Sequence, residues 1–227
     1  MSRPDVIGLH LGVSNAYALV GSSTVLVDSG PAGSEDRLLR TMRRAGVDPS
    51  SVVLIVLTHC HPDHAGGAAE LRRRLGVQVA VHCAETHWAT TGRSELYRPL
   101  RPFGRVLLAA LDPTFPAFEP DIALQHNDDF LDRYGLPVTV LHTPGHTPGS
   151  ITLVRRDSGD ALVGDLLAGG LVHANRPNLP FLAQDVEQLV ASVRDVLSQG
   201  ASRFHFGHGR AASATSVLRR FGPLAAR

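Results

Sequence analysis

The sequence predicts an α/β domain built on two sheets, each covered by helices on its outer face. Three observations carry that prediction. Short β-branched and aliphatic segments alternate with segments of helical period in both halves of the 227-residue chain. Residues 52–57 are apolar without interruption, which suits a strand covered on both faces. A proline-rich irregular stretch lies between the two halves, so the order is strands and helices, an insertion, then strands and helices again.

The elements follow in order. Residues 6–11, 16–20 and 24–27 read as strands, separated by Gly12, Ser14 and Asn15 and then by Gly21-Ser22-Ser23. Ser34 reads as the cap of a helix over 35–45. Glu35 and Asp36 lie in its first turn, Arg43 and Arg44 in its last, and Gly46 follows, so the charges complement the helix dipole. The strand 52–57 leads through a short polar loop to a helix over 67–75 that stops at Gly76, and 77–82 is again a strand. Residues 91–129 hold Pro99, Pro102, Pro113, Pro116 and Pro120 among Tyr97, Phe103, Phe115 and Phe118. Prolines this dense break long helices, and a segment this long reads as a functional flap inserted in a single domain spanning 1–227. Strands return at 138–142, 150–154 and 161–163. Residues 185–198 give the clearest helix, with Val186, Leu189, Val190, Val193 and Leu197 on one stripe. A strand at 203–206 and a helix at 211–221 close the chain.

Composition narrows the function. With 43% apolar and 19% charged residues the chain is one soluble domain. All 22 basic residues are arginine, which excludes Schiff-base lysine chemistry, a P-loop lysine and a Ser-Lys dyad. Against 21 acidic residues the net charge is +1, so neither nucleic acid nor an anionic membrane is an expected partner. The longest apolar runs, 52–57 and 106–111, fall far short of the roughly 20 residues a membrane span needs. Residues 1–12 lack the pattern of a signal peptide. Cys60 and Cys83 are too few for a disulfide framework and read as reduced thiols of a cytoplasmic protein.

The chemistry is concentrated in Thr58-His59-Cys60-His61-Pro62-Asp63-His64, directly after the buried strand. A loop leaving a strand can point alternate residues the same way, so His59 and His61 converge on one cation. One bend later, Asp63 and His64 can face a second. Imidazole nitrogen and carboxylate oxygen are ligands that zinc, iron and manganese accept. Four donors leave two cations under-coordinated, so further donors are expected at strand ends beside glycines. His146 in Pro144-Gly145-His146, Asp165 in Gly164-Asp165 and His208 in Gly207-His208-Gly209 meet that description.

These residues resemble the metallo-β-lactamase superfamily, in its two-metal hydrolase branch. The resemblance runs from Asn15-Ala16-Tyr17 and Val27-Asp28-Ser29-Gly30 through the histidine loop to Gly207-His208-Gly209. It implies a four-layer αβ/βα sandwich, two mixed sheets with helices outside and the site at one edge between them. It implies that His59, His61 and His146 hold one metal, that Asp63, His64 and His208 hold another, and that Asp165 bridges. The implied chemistry is attack by a hydroxide shared between two divalent ions, zinc first and iron or manganese otherwise, about 3.5–4 Å apart, with Asp63 orienting it.

Departures from the pattern of particular branches narrow the substrate. Zinc β-lactamases usually carry cysteine where Asp165 stands, and flavodiiron proteins carry glutamate where His61 stands. Nucleic-acid-cleaving branches add an arm or domain, and glyoxalase II enzymes add a C-terminal helical region with lysine; here 19 residues follow His208. A stand-alone hydrolase of a small ester-like molecule, a thioester or lactone, is the reading that survives. The alternative is a persulfide dioxygenase-like oxidoreductase, which keeps the same histidine loop but binds a single iron. Substrate choice is expected to rest on the flap 91–129, where Arg93, Arg98, Arg101 and Arg105 could bind an anionic group but read first as solvated, and on 171–181, where His173 is a candidate pocket residue. His82, His87 and His126 read as structural or surface positions, His10 and His205 as sheet positions, and His142 as a strand-end histidine bonded to backbone, with support of His146 as the alternative. Cys60 is expected to point away from the site into packing, and Asp28 to support a turn or a ligand.

Overall fold

The computed structural model describes residues 5–95, 97–100, 108–109, 111–125, 128–170 and 176–225. Within them the chain forms β1 (Asp5–His10), β2 (Asn15–Val20), β3 (Thr24–Val27), α1 (Glu35–Arg44), β4 (Val52–Val56), α2 (Pro62–Ala65), α3 (Ala68–Leu75), β5 (Gln78–His82) and α4 (Thr86–Thr91). It continues with β6 (Arg98–Pro99), β7 (Ile122–Leu124), β8 (Val138–His142), β9 (Ile151–Arg155), β10 (Asp160–Leu162) and β11 (Leu182–Ala183). It ends with α5 (Val186–Ser198), β12 (Arg203–His205), β13 (Ala212–Ser213) and α6 (Ala214–Ala225).

One sheet runs β1-β2-β3-β4-β5-β7, antiparallel through β3 and parallel from β3 onward. The other runs β13-β12-β10-β9-β8, antiparallel except where β10 meets β12. Side-chain alternation along the strands decides the layering. On β2, Ala16 and Ala18 face one core while Tyr17 and Leu19 face another; on β4, Ile55 faces the first and Leu54 and Val56 the second. That first core is closed by Leu38 and Met42 of α1 and Leu71 of α3. The second is shared with Val138 and Val140 of β8 and Ile151 and Leu153 of β9, so it lies between the sheets. The opposite residues of the second sheet, among them Leu141, Val154 and Ala161, pack on Leu189, Val193 and Val196 of α5 and Val217 and Phe221 of α6. Three cores make four layers, and both sheets are mixed.

Leu54, Ile55 and Val56 are fully buried. Each such side chain contributes about 1.5–3 kcal/mol relative to exposure, so β4 is a firm platform for the loop that leaves it.

Several boundaries differ from the sequence reading. Ser34 stands at the start of α1 but does not cap it, because its hydroxyl donates to the Pro31 carbonyl at 2.6 Å. The polar loop after β4 contains the helical turn α2, with Pro62 at its first position, where a missing N–H costs nothing. On α5, Val196 completes the buried stripe, and Leu197 is only partly buried against it. The segment 91–129 is more than an insertion: its end, β7, is an edge strand of the first sheet, pairing parallel to β5. Three residues with one exposed carry too little periodicity to reveal a strand. Arg101, Pro102, Phe103, Arg105, His126 and His173 lie outside the described residues. No helix among the described residues is long and apolar enough to cross a membrane.

Candidate metal centre

The site is assembled from loops at strand ends. The loop after β4 carries His59 and His61, and α2 carries Asp63 and His64; His146 sits between β8 and β9, Asp165 after β10 and His208 after β12. His59, His61, His64 and His146 are buried, whereas Asp63 and His208 keep 35% and 29% of their side chains exposed, which leaves one side of the cluster open. The structure brings all seven side chains together. One group of atoms that could hold a metal ion comes from His59, His61 and His146, a second from His59, His64 and Asp165, and a third from Asp63, His64 and His208. Gly207 permits this closeness, since a Cβ there would lie 2.3 Å from Asp165 Oδ1 and 2.5 Å from His64 Cε1.

Each histidine is oriented by its outer nitrogen. His61 Nε2 lies 3.1 Å from the Glu95 carbonyl, His146 Nδ1 2.9 Å from the Leu182 carbonyl and His208 Nδ1 2.6 Å from the Val13 carbonyl. A carbonyl only accepts, so these nitrogens carry the protons. His64 Nδ1 is held by Asp28 Oδ2 at 2.9 Å. Asp28 also accepts from Thr58 N at 2.7 Å and is buried with φ of 63°, so it fixes both the turn and the His64 ring.

The inner atoms then face one another. His146 Nε2 and His61 Nδ1 are 3.0 Å apart. His208 Nε2 lies 3.1 Å from Asp63 Oδ2 and 3.2 Å from Asp165 Oδ2. His59 Nε2 and Asp165 Oδ1 are buried without a hydrogen-bond partner. Burial, reinforced by the neighbouring His146, holds the His61 imidazole down at about 3. Burial likewise lowers His146, and burial together with His64 lowers His59 well below the ordinary range. These rings are therefore neutral, and the facing nitrogens of His61 and His146 are both lone pairs. Two lone pairs at that separation repel unless a cation lies between them. On the other side burial would depress His64, but Asp63, Asp165 and Asp28 outweigh it and lift the ring to about 9. Burial would raise Asp63 and Asp165, and the histidines beside them outweigh it, holding both below the usual carboxylate range. Buried anions, neutral imidazoles and orphaned inner atoms are what a divalent cation satisfies.

Beside the cluster lies a cavity of about 360 Å³. Its floor includes His61, Asp63, His146, Asp165 and His208, and its walls Val13, Leu111, Pro180, Phe181 and Leu182, all apolar, with Asp112 among them. Arg93 and Arg98 are exposed and are not in its lining. Phe181 and Leu111, from the two segments read as substrate-facing, are exposed at 38% and 39%.

Other candidates fall outside. His142 donates to the Pro148 carbonyl at 2.8 Å and stacks on His82, centroids 4.0 Å apart. His10 pairs with Asn15 and His205 with Asp160. Cys60 is fully buried in the first core. Sequence reasoning missed Glu85, a buried carboxylate touching the loops on both sides of the cluster, and Ser14, whose hydroxyl donates to the Asp63 carbonyl at 2.7 Å. The available signal for Glu85 was its place just past the end of a strand parallel to the one that feeds the histidine loop.

Comparison with known proteins bears on this geometry. The chain is 29% identical over 226 residues to a probable metallo-hydrolase, YflN, of Bacillus subtilis, covering 90% of this chain and 83% of that one. It is 27% identical to the hydroxyacylglutathione hydrolase GloC of Haemophilus influenzae, over 74% of this chain and 71% of that one. Among solved structures, the B3 metallo-β-lactamase BLEG-1 superposes with a TM-score of 0.70 at 23% identity, covering 99% of this chain and all of that one. The family protein TTHA1429 from Thermus thermophilus does so with 0.66 at 23% identity, over 98% and 78%. The two structures speak for the fold alone. The family model for the metallo-β-lactamase superfamily matches residues 10–208, from the last residue of β1 to the last histidine of the cluster. The chain belongs to the metallo-β-lactamase superfamily.

Proposed function

We propose that the chain is a metal-dependent hydrolase that uses two divalent ions to cleave a small ester-like substrate, a thioester or a lactone. One observation carries this reading: the inner atoms of seven side chains converge with lone pairs and carboxylates facing each other and no proton donor between His61 and His146. His59, His61 and His146 would hold one ion, Asp63, His64 and His208 the other, and Asp165 would be shared. Zinc suits this nitrogen and oxygen donor set, and iron or manganese would also be accepted. Such ions supply Lewis acidity and a water ionised near neutral pH.

The protein's own residues do the rest. Asp63, partly exposed at the cavity floor, would orient the attacking water through a carboxylate oxygen. Apolar walls exclude bulk water and seat an uncharged acyl or ring portion of the substrate. The printed name of the GloC relative supports a thioester, while the apolar lining supports an acyl group over a charged peptide. Asp63, His64 and His208 offer the donor group that a second ion would need, and metal count separates this reading from the single iron of a persulfide dioxygenase. Neither nucleic acid nor a membrane is a proposed partner.

The test is metal quantitation on purified protein, followed by thioester, lactone and phosphodiester panels and an oxygen electrode. Two divalent ions per chain with thioester or lactone turnover is the expected result. One iron per chain with oxygen uptake, or full activity after chelation, refutes the reading.

A further inference from the structure

We infer that Glu85 is a positioning residue for the ion held by His59, His61 and His146, a role that rests on the metal reading above. Glu85 closes the 3-10 turn after β5, its side chain is buried, and the residue is 1% exposed. Its carboxylate joins loops that belong to different sheets. Oε2 accepts from Cys60 N at 2.5 Å, in the loop after β4; Oε1 accepts from Gly149 N at 3.0 Å and from the Thr147 hydroxyl, in the loop between β8 and β9. Cys60 lies between His59 and His61, and Thr147 follows His146. One side chain therefore grips the chain beside all three histidines, through the Cys60 and Gly149 N–H groups and the Thr147 hydroxyl.

The contact is tight enough to constrain its partners. A Cβ on Gly149 would lie 2.7 Å from Glu85 Cγ and 3.0 Å from its carboxyl carbon, so glycine is needed for the loop to reach the carboxylate. The Thr147 hydroxyl also bonds Ser150 Oγ at 2.7 Å, which ties the far end of the loop to the same point. Chemistry then dictates an acid at position 85. Backbone N–H groups approach from both sides, so both oxygens must accept. A glutamine has the same shape but one accepting oxygen, and its NH₂ would face either the Cys60 or the Gly149 N–H. An aspartate is one methylene shorter and cannot reach both loops. Asp63, His64 and His208 are held by other partners: Ser14 at Asp63, Asp28 and Ser29 at His64, and the Val13 carbonyl at His208. Loosening Glu85 should therefore release one ion before the other.

The experiment compares wild type, Glu85→Gln and Thr147→Val. Each is loaded with Zn²⁺ and, separately, with Co²⁺, then titrated with a competing chelator while metal per chain and the cobalt ligand-field spectrum are followed. Circular dichroism and thermal melting of the metal-free proteins report folding. For Glu85→Gln we expect one of two ions to be held ~10–100-fold more weakly, with loss of one set of cobalt bands and little change in the other ion. Thr147→Val, which removes one donor to the carboxylate, should weaken the same ion by a smaller factor, and it decides the matter if Glu85→Gln does not fold. A folded Glu85→Gln protein that holds both ions as tightly as wild type overturns the inference, as does equal weakening of both ions in either variant. A wild-type protein that binds neither zinc nor cobalt overturns the metal reading itself, so the two failures are distinguishable.

Discussion

Asp28→Asn isolates what the buried carboxylate beneath the cluster does. Asp28 has a φ of 63°, a conformation asparagine tolerates, so the backbone is left in place. Alanine there would add roughly 1–2 kcal/mol of left-handed strain and confuse the result. In the wild type Oδ1 accepts from Thr58 N at 2.7 Å and Oδ2 from His64 Nδ1 at 2.9 Å. Asparagine can satisfy only one of these. If its oxygen stays on Thr58, its NH₂ faces His64 Nδ1, which must then accept; the neutral ring would carry its proton on Nε2 and have no lone pair there to offer an ion. If the amide flips, the Thr58 N–H is buried without an acceptor, at a cost of about 1–3 kcal/mol. The protein adopts the less costly arrangement, so the loss is at most about 1–3 kcal/mol. Outer partners of metal-binding histidines typically change affinity by ~10–100-fold, or about 1.4–2.7 kcal/mol, which agrees. Zinc titration against a competing chelator should show the ion at Asp63, His64 and His208 weakened by that factor, and the other ion much less. An Asp28→Asn protein that holds both ions as wild type does would refute the tautomer argument.

Asp165→Ala should abolish turnover and lower metal per chain, whereas His142→Ala, whose ring contacts the Pro148 carbonyl and His82, should retain most metal; elemental analysis and the hydrolysis assay check both. Phe181→Ala should raise KM for long-acyl substrates by roughly 5–30-fold, about 1–2 kcal/mol of lost apolar contact, and leave short-acyl substrates nearly unchanged. An effect independent of acyl length would remove Phe181 from the substrate wall. The metal-free protein should be most stable near pH 6.5. His64 and His208 have raised folded values, so their contribution is complete below the unfolded value near 6.5 and is lost as pH climbs through the folded values, about 9 for His64. His59, His61 and His146 have lowered values, so their contribution is complete above 6.5 and is lost as pH falls, down to about 3 for His61. Melting temperatures of chelated protein from pH 5 to 9 test this, and a monotonic profile would count against it.

The sequence alone determined the elements that are long or strongly patterned. Strands 24–27 and 138–142 match β3 and β8 residue for residue, and α5 starts one residue after its reading because Asp185 is the cap, accepting from Gln188 N at 3.0 Å. It also displayed the candidate donors beside glycines at strand ends, and the family resemblance implied which of them meet. Only the tertiary structure decided the rest. The two-residue strands β6, β11 and β13 and the edge strand β7 form because a partner backbone offers unsatisfied groups, and no local periodicity announces them. The same holds for the residues that aim the ligands. Asp28, Glu85 and the carbonyls of Glu95, Leu182 and Val13 act on side chains far away along the chain, through hydrogen bonds that exist only after the layers close. Candidate donors are a property of residue type and local spacing, which a sequence displays. Ligand orientation is a property of contacts between loops from different sheets, which it does not.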